Sequence, residues 1–111
     1  MEFRLDRIYF EMIRRREKCV EVRLNDEKRQ KLNVGDILTF TCRGNLDDKI
    51  VTKVISIQYY KDFEEMIMFE PKKDIGFPFK SIEEILDIYN DIYTKEEQSL
   101  YNVVSIRFER I

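Results

Sequence analysis

Hydrophobic positions recur at helical spacing in two long segments of the chain. The first stripe predicts an amphipathic helix over residues 6–17, with Asp6 as its N-cap. Its apolar members are Leu5, Ile8, Tyr9, Met12 and Ile13. A second stripe follows the Ser81–Glu84 capping box and predicts a helix to about Tyr93. Shorter helical segments are predicted after two further N-cap residues, Asp62 and Thr94.

Elsewhere polar and apolar residues alternate, which is typical of strands with one buried face. The alternating segments are 2–5, 19–24, 36–43, 49–60 and 101–110. Residues 43–48 are predicted to form a hairpin loop, and residues 70–80, with both prolines and a glycine, a longer loop. Short strands with helices inserted between them predict an α+β fold, a small mixed β-barrel, in one domain of residues 1–111.

The amino-acid composition argues against several kinds of functional site. The 111 residues include no histidine, the commonest general base and metal ligand, and only two cysteines, Cys19 and Cys42. We therefore expect no metal, no disulfide framework and no cofactor. The longest apolar run, Met66 to Phe69, is too short to span a membrane, and the N-terminal segment does not resemble a signal peptide. A cytoplasmic protein without a membrane partner is expected.

The charge is unevenly distributed along the chain. The net charge is −2, but residues 1–43 hold 11 basic side chains against 8 acidic ones. Residues 44–111 hold 9 basic against 14 acidic side chains. A site for an anionic ligand is therefore predicted in the first half, and the acidic second half leaves a protein-interaction domain as an alternative.

The densest polar cluster is Arg-Arg-Arg-Glu-Lys-Cys-Val-Glu-Val-Arg over residues 14–23. Period two puts Val20 and Val22 in the core, so Glu21 and Arg23 project together from the opposite face, just after Lys18. If that face lines a cleft, a carboxylate between two cations becomes a recognition site, because it offers both acceptors and donors to a ligand. If it faces open solvent, the same residues are only a weak surface ion pair.

The spacing Lys18-x-x-Glu21-x-Arg23, after an amphipathic helix and before Gly35-Asp36, resembles the ASCH (activating signal cointegrator homology) domain of the PUA-like superfamily. The signature of that family is G-x-K-x-x-E-x-R, and Arg16 occupies its glycine position here. Further short segments look like small bacterial ASCH proteins, and these are 24–29, 34–36, 63–66, 93–97 and 101–104.

The resemblance implies a β-barrel with a cleft beside the first helix, and RNA, a nucleoside or a nucleotide as the ligand. The ligand-binding residues would be Lys18, Glu21 and Arg23. The run of three arginines at 14–16 has two interpretations: a phosphate-binding rim beside the cleft, with Arg15 and Arg16 in contact with the ligand, or a solvated helix end. We expect Lys18, at the end of a helix, to reach water, so that its loss would hardly affect folding.

A hydrolase acting on a modified nucleoside or nucleotide in the same cleft is the alternative, with Lys18 activating water or a nucleophile and Glu21 as acid and base. Some small ASCH proteins hydrolyse N4-acetylcytidine with a threonine, a lysine and a glutamate. Here Glu21 stands in place of the threonine, and no acidic residue precedes Ser81 in the segment 77–80. The threonine and the glutamate of that set are therefore both absent, which argues against hydrolysis of N4-acetylcytidine. The sequence leaves the ligand, the base preference and the oligomeric state open.

Overall fold

The computed structural model describes all 111 residues and contains one five-stranded sheet with helices around it. The strands are β1 (Glu2–Leu5), β2 (Val20–Leu24), β3 (Ile37–Cys42), β4 (Asn45–Tyr60) and β5 (Val103–Arg110). The α-helices are α1 (Arg7–Arg14), α2 (Phe63–Phe69), α3 (Ile82–Ile92) and α4 (Lys95–Tyr101). A 3₁₀ turn spans Arg29–Lys31. The predicted α+β class and the order of strands and helices are therefore confirmed.

The sheet has the order β1-β3-β4-β5-β2, with only the β1–β3 pair parallel. Strand β4 pairs with β3 through its first half and with β5 through its second half, with a bulge between Val54 and Ser56. Bulges bend a strand and increase its twist, so β4 curls the sheet. The result is a half-barrel that remains open between the edge strands β1 and β2.

The predicted loop over residues 43–48 is wrong, because β4 already begins at Asn45. Arg43 and Gly44 alone make the turn, with Gly44 at a φ of 91°. The segment 45–48 is mostly polar and lacks the alternation of polar and apolar residues that indicates a strand. Asn45 pairs with Cys42 of β3, and pairing resumes at Lys49 opposite Thr41, so residues 46–48 form an irregularity in the ladder. Arg14 of α1 contacts this segment, with its Nη2 2.6 Å from Asp48 Oδ1.

Helix α1 ends at Arg14, three residues before the predicted end. The N–H of Arg16 donates to Ile13 O, and the N–H of Glu17 donates to Met12 O, which are the two bonds of a Schellman motif. Arg16 takes the left-handed conformation of that motif, with a φ of 63°. A left-handed arginine is less stable than a glycine there by about 1–2 kcal/mol. The turn nevertheless forms, and it directs the chain into β2.

The core has two parts, one on each side of the sheet. The first fills the half-barrel beneath α1 and includes the predicted inward face of β5, namely Val104, Ile106 and Phe108. The second lies between β2 and the helices α2 and α3, and its members from β2 are Val20, Val22 and Leu24. None of the helices is long and apolar enough to cross a bilayer.

Candidate ligand-binding cleft

A cleft of about 490 Å³ opens at the gap between β1 and β2, with α3 and the loop 71–80 as its other walls. Its apolar lining is Leu5, Tyr9, Val22, Ile75, Phe77, Ile88, Tyr89, Ile92 and Tyr93. Its polar lining is Arg4, Asp6, Lys18, Glu21, Arg23 and Arg43. Burial raises the pKa of the Tyr89 and Tyr93 phenols, which therefore stay neutral and can donate or accept hydrogen bonds.

Glu21 and Arg23 face the cleft because of their register on β2. They stand opposite Ile106 and Val104 of β5, and residues opposite each other in an antiparallel pair share a face. That face belongs to the inside of the half-barrel, which lacks a strand at this point. Two polar residues on an otherwise apolar inner face therefore reach the opening instead of being enclosed by the core.

Lys18 lies at the floor of the cleft with only 4% of its surface exposed. Its Nζ donates to Val20 O at 2.7 Å and to Ile75 O at 2.9 Å, and lies 3.1 Å from Glu21 Oε1. An ammonium group has three N–H donors, so these three oxygens engage all of them. The expectation that Lys18 reaches water is therefore wrong. The loop that buries Lys18 is distant in the sequence, so the residues next to Lys18 do not indicate its burial.

This geometry also bears on the hydrolase alternative. A lysine that activates water or a nucleophile needs a free donor or a free lone pair directed at it. Lys18 instead joins the start of β2 to the loop 71–80 through two main-chain carbonyls. Its role in this structure is to hold the loop and the Glu21 carboxylate in place.

Glu21 is the centre of the site, with 6% of its surface exposed. Its Oε2 accepts from Arg23 Nε at 3.0 Å and lies 2.9 Å from Arg23 Nη2, while Oε1 faces Lys18. Burial alone would raise the pKa of the Glu21 carboxyl, but the charges and hydrogen bonds of Lys18 and Arg23 outweigh it and hold the pKa below its usual value. Glu21 is thus an ionised carboxylate, buried between two cations.

Arg23 is the exposed end of this arrangement, with 21% of its side chain accessible. Its guanidinium lies over the ring of Phe3 on β1, 4.7 Å from the centroid, and so bridges the gap between the two edge strands. The edge that carries Nε and Nη2 is occupied by Glu21, whereas Nη1 makes no hydrogen bond within the protein. Glu21 therefore orients a planar cation whose remaining N–H groups are free for a ligand.

Gly76 allows the loop 71–80 to close over Lys18. Its φ is 99°, a left-handed conformation, and a Cβ at this position would lie 3.2 Å from Lys18 Cδ and 3.4 Å from Tyr9 Cδ1. Ile75 and Phe77 on either side of it line the cleft. The glycine thus allows the main chain to approach closely enough for the Ile75 carbonyl to accept a hydrogen bond from Lys18.

Replacing Gly76 by alanine is expected to lower the free energy of unfolding by more than the 1–2 kcal/mol or so that a left-handed alanine costs. Gly35→Ala is the matched control, because Gly35 has a φ of 93° but nothing within 4 Å of an added Cβ. Urea unfolding of both variants measures the difference, which we expect to be about 1 kcal/mol. Equal losses would show that the loop does not press on Lys18.

The structure brings together three of the five residues that the sequence singles out. Lys18, Glu21 and Arg23 all line the cleft, whereas Arg15 and Arg16 do not. Arg15 instead forms an exposed ion pair with Glu17, with Nε and Oε1 3.1 Å apart. The Schellman turn directs this part of the chain away from the gap between β1 and β2, so residues 15 and 16 lie outside the cleft.

The helical apolar pattern predicts only a core position for several residues that also line the cleft. Tyr9 and Tyr89 belong to helical apolar stripes, and both also line the cleft. No sequence motif identifies Arg4 or Arg43 as a cleft residue. The parallel pairing of β1 with β3, which aligns Arg4 with Thr41, brings them to the same edge. Alternation with Phe3 and Leu5 could have shown that Arg4 points away from the core.

Cys19 does not line the cleft, although it lies next to Lys18 in the sequence. It precedes β2, and its Sγ accepts from Arg107 Nη1 at 3.3 Å. Burial, followed by the charge of Asp74, raises the pKa of the Cys19 thiol. No group of three or more His, Cys, Asp or Glu side chains comes close enough to hold a metal ion.

An open half-barrel with a buried Lys-Glu-Arg cluster in its edge gap defines a small α+β module with a ligand-sized cleft beside that cluster. The ASCH domain model matches residues 5–111, nearly the whole chain, and the chain therefore belongs to the ASCH domain family. The predicted family is confirmed.

Two solved structures are similar to this chain over its full length. One is the crystal structure of hypothetical protein PH0355, with 32% identity, a TM-score of 0.81 and all of both chains covered. The other is the solution NMR structure of protein PF0455 from Pyrococcus furiosus, with 32% identity, a TM-score of 0.74 and coverage of 100% of this chain and 98% of that one. No curated protein matches the sequence significantly.

Proposed function

We propose that this protein is an RNA-binding module that takes one unstacked nucleotide of a single strand into the cleft. The observation that carries the proposal is the oriented guanidinium of Arg23 inside a largely aromatic and aliphatic hollow of about 490 Å³. Cavities of this size that are mostly apolar, with a few polar groups, are typical small-ligand sites. The family resemblance, which implies RNA or nucleotide ligands, supports the same reading.

The chemistry of the lining suits a nucleobase. Bases that are splayed out of an RNA strand stack on aromatic side chains or on arginine planes, and their edges form hydrogen bonds. The cleft offers tyrosine and phenylalanine rings as walls, together with the free N–H groups of Arg23 as donors to a base carbonyl or ring nitrogen. The buried Glu21 carboxylate fixes the direction of those donors.

Titration with the four ribonucleosides tests the proposal without involving phosphate. We expect amide shifts of residues around the cleft in NMR spectra at millimolar nucleoside for at least one of the four. Tyr93→Ala should weaken that binding by about 5- to 150-fold, because stacking of a base on an aromatic ring contributes about 1–3 kcal/mol.

Tyr59→Ala is the matched control, because Tyr59 is an exposed tyrosine of β4 that does not line the cleft. Tyr93 also packs on Phe63, so Ile92→Ala provides a second variant at the cleft mouth with 62% of the residue exposed. It should weaken binding with little effect on folding. Spectra in which neither nucleosides nor oligoribonucleotides shift any cleft residue would contradict the proposed function.

A further inference from the structure

A second hollow of about 410 Å³ continues the cleft along the outer edge of β1. We call it the cationic groove. Its basic residues are Arg4, Arg23, Lys28, Arg29 and Arg43, and the others are Glu2, Phe3 and Thr41. Five of the eight lining residues are thus cations and one is an acid. All five come from the first 43 residues, where the charge distribution predicts an anion site.

The cations of this groove are only partly neutralised by the protein. Arg4 and Lys28 form no ion pair, whereas Arg43 pairs with the exposed Asp6 at 2.6 Å. Arg29 pairs with Asp26 at 3.2 Å, but its buried Nε has no hydrogen-bond partner. The sole acidic residue of the groove, Glu2, has its carboxylate 3.8 Å from Lys49, a residue of β4 outside the groove.

Two of the cations contact the same aromatic ring. The guanidinium groups of Arg23 and Arg29 both lie over the ring of Phe3, 4.7 and 5.0 Å from its centroid. Cation–π contact with this ring holds both guanidinium groups at the groove, where each would attract an anion. Arginine planes held in this way suit bidentate contacts with phosphate oxygens.

We infer that the cationic groove holds the phosphodiester backbone of an RNA strand next to the nucleotide whose base lies in the cleft. The inference rests on the proposed function and specifies its ligand as a strand and not a free nucleoside. Three residues line both hollows, namely Arg4, Arg23 and Arg43. A nucleotide with its base in the cleft would therefore have its sugar–phosphate chain at the start of the groove. A neutral nucleoside would leave Lys28 and Arg29, the cations that line the groove alone, without a ligand.

The double variant Arg4→Gln/Lys28→Gln tests the inference, because these two residues form no ion pair whose loss would disturb folding. The probe is a fluorescein-labelled RNA hexamer of randomised sequence. Each phosphate contact on a single strand contributes about 0.7 to the slope of log K against log salt. Loss of two contacts should lower the slope by about 1.4 and weaken binding about 25-fold at 0.1 M salt.

The matched control is Lys61→Gln/Lys95→Gln, which removes the same charge from exposed positions outside both hollows. It should retain nearly the wild-type slope. Equal losses in the two double variants, or no loss in either, would overturn the groove assignment. A DNA hexamer that binds more tightly than the RNA hexamer would overturn the assignment to RNA.

The nucleoside titration separates the two proposals. Nucleoside binding should be the same in the single variant Lys28→Gln as in the wild type, because Lys28 lines the groove and not the cleft. If nucleosides bind in the cleft but the groove variant leaves hexamer binding intact, the groove inference fails and the proposed function stands. If neither nucleosides nor hexamers affect the cleft, the proposed function itself fails.

Discussion

Replacing Glu21 by glutamine is expected to lower the free energy of unfolding by about 3–5 kcal/mol, one of the two largest effects that we expect for a single substitution. The carboxylate lies within 3.1 Å of Lys18 Nζ and 2.9 Å of Arg23 Nη2, and it is almost fully buried. A neutral amide leaves Lys18 as a buried cation without a counter-charge. Thermal and urea unfolding measure the loss.

Glu17→Gln is the matched control, because Glu17 also pairs with an arginine but is half exposed. Exposed pairs contribute about 0–1 kcal/mol, so the control should stay close to the wild type. Glu21→Gln should also weaken nucleoside binding, because Arg23 would lose the partner that orients it. A stability within 1 kcal/mol of the control would mean that the cluster is not buried in solution.

The acid dependence of stability provides an independent check on Glu21. Its pKa is lower in the folded protein than the ordinary value of 4.5, so the unfolded chain binds the proton more readily. The stabilisation is therefore complete above pH 4.5 or so and is lost as the pH falls through the folded pKa. We expect the unfolding free energy of Glu21→Gln to fall less steeply below pH 4.5 than that of the wild type.

Replacing Lys18 by methionine is expected to lower the free energy of unfolding by a similar amount, about 3–5 kcal/mol. Methionine fills most of the same space but donates nothing, so the carbonyls of Val20 and Ile75 lose their shared donor. Glu21 also loses one of its two cations. Lys95→Met is the control, because Lys95 is exposed at the start of α4.

The double variant Lys18→Met/Glu21→Gln distinguishes an ion pair from two independent packing effects. Breaking a buried pair is costly because it leaves one charge without a partner, whereas removing both members does not. The double variant should therefore lose less stability than the sum of the single variants, by at least 1 kcal/mol or so. Additive losses would mean that Lys18 and Glu21 are not coupled.

The local pattern of residues 18–23 was enough to place Glu21 and Arg23 together. Period two is a property of the strand itself, so two residues on the face opposite to Val20 and Val22 must project side by side. The burial of Lys18 could not be predicted in this way. It depends on the Ile75 carbonyl, 57 residues further along the chain, and on a left-handed glycine that allows that loop to approach.

The placement of the basic residues shows the same limit. A run of three arginines at 14–16 is the most basic segment in the sequence, yet residues 15 and 16 lie outside the cleft because a Schellman turn directs them away from it. The cationic groove collects single basic residues from separate segments of the first 43 residues. Strand pairing brings Arg4 and Arg43 together, although no local signal links them.

The sequence by itself determined the family, the α+β class, the order of strands and helices, and the pairing of Glu21 with Arg23. These depend on local periodicity, caps and a short motif, which are encoded by neighbouring residues. Only the tertiary structure decided that β4 begins at Asn45, that the barrel stays open between β1 and β2, and that Lys18 is buried. These depend on contacts between residues far apart in the chain, whose geometry is set by how the sheet curls and closes on its core.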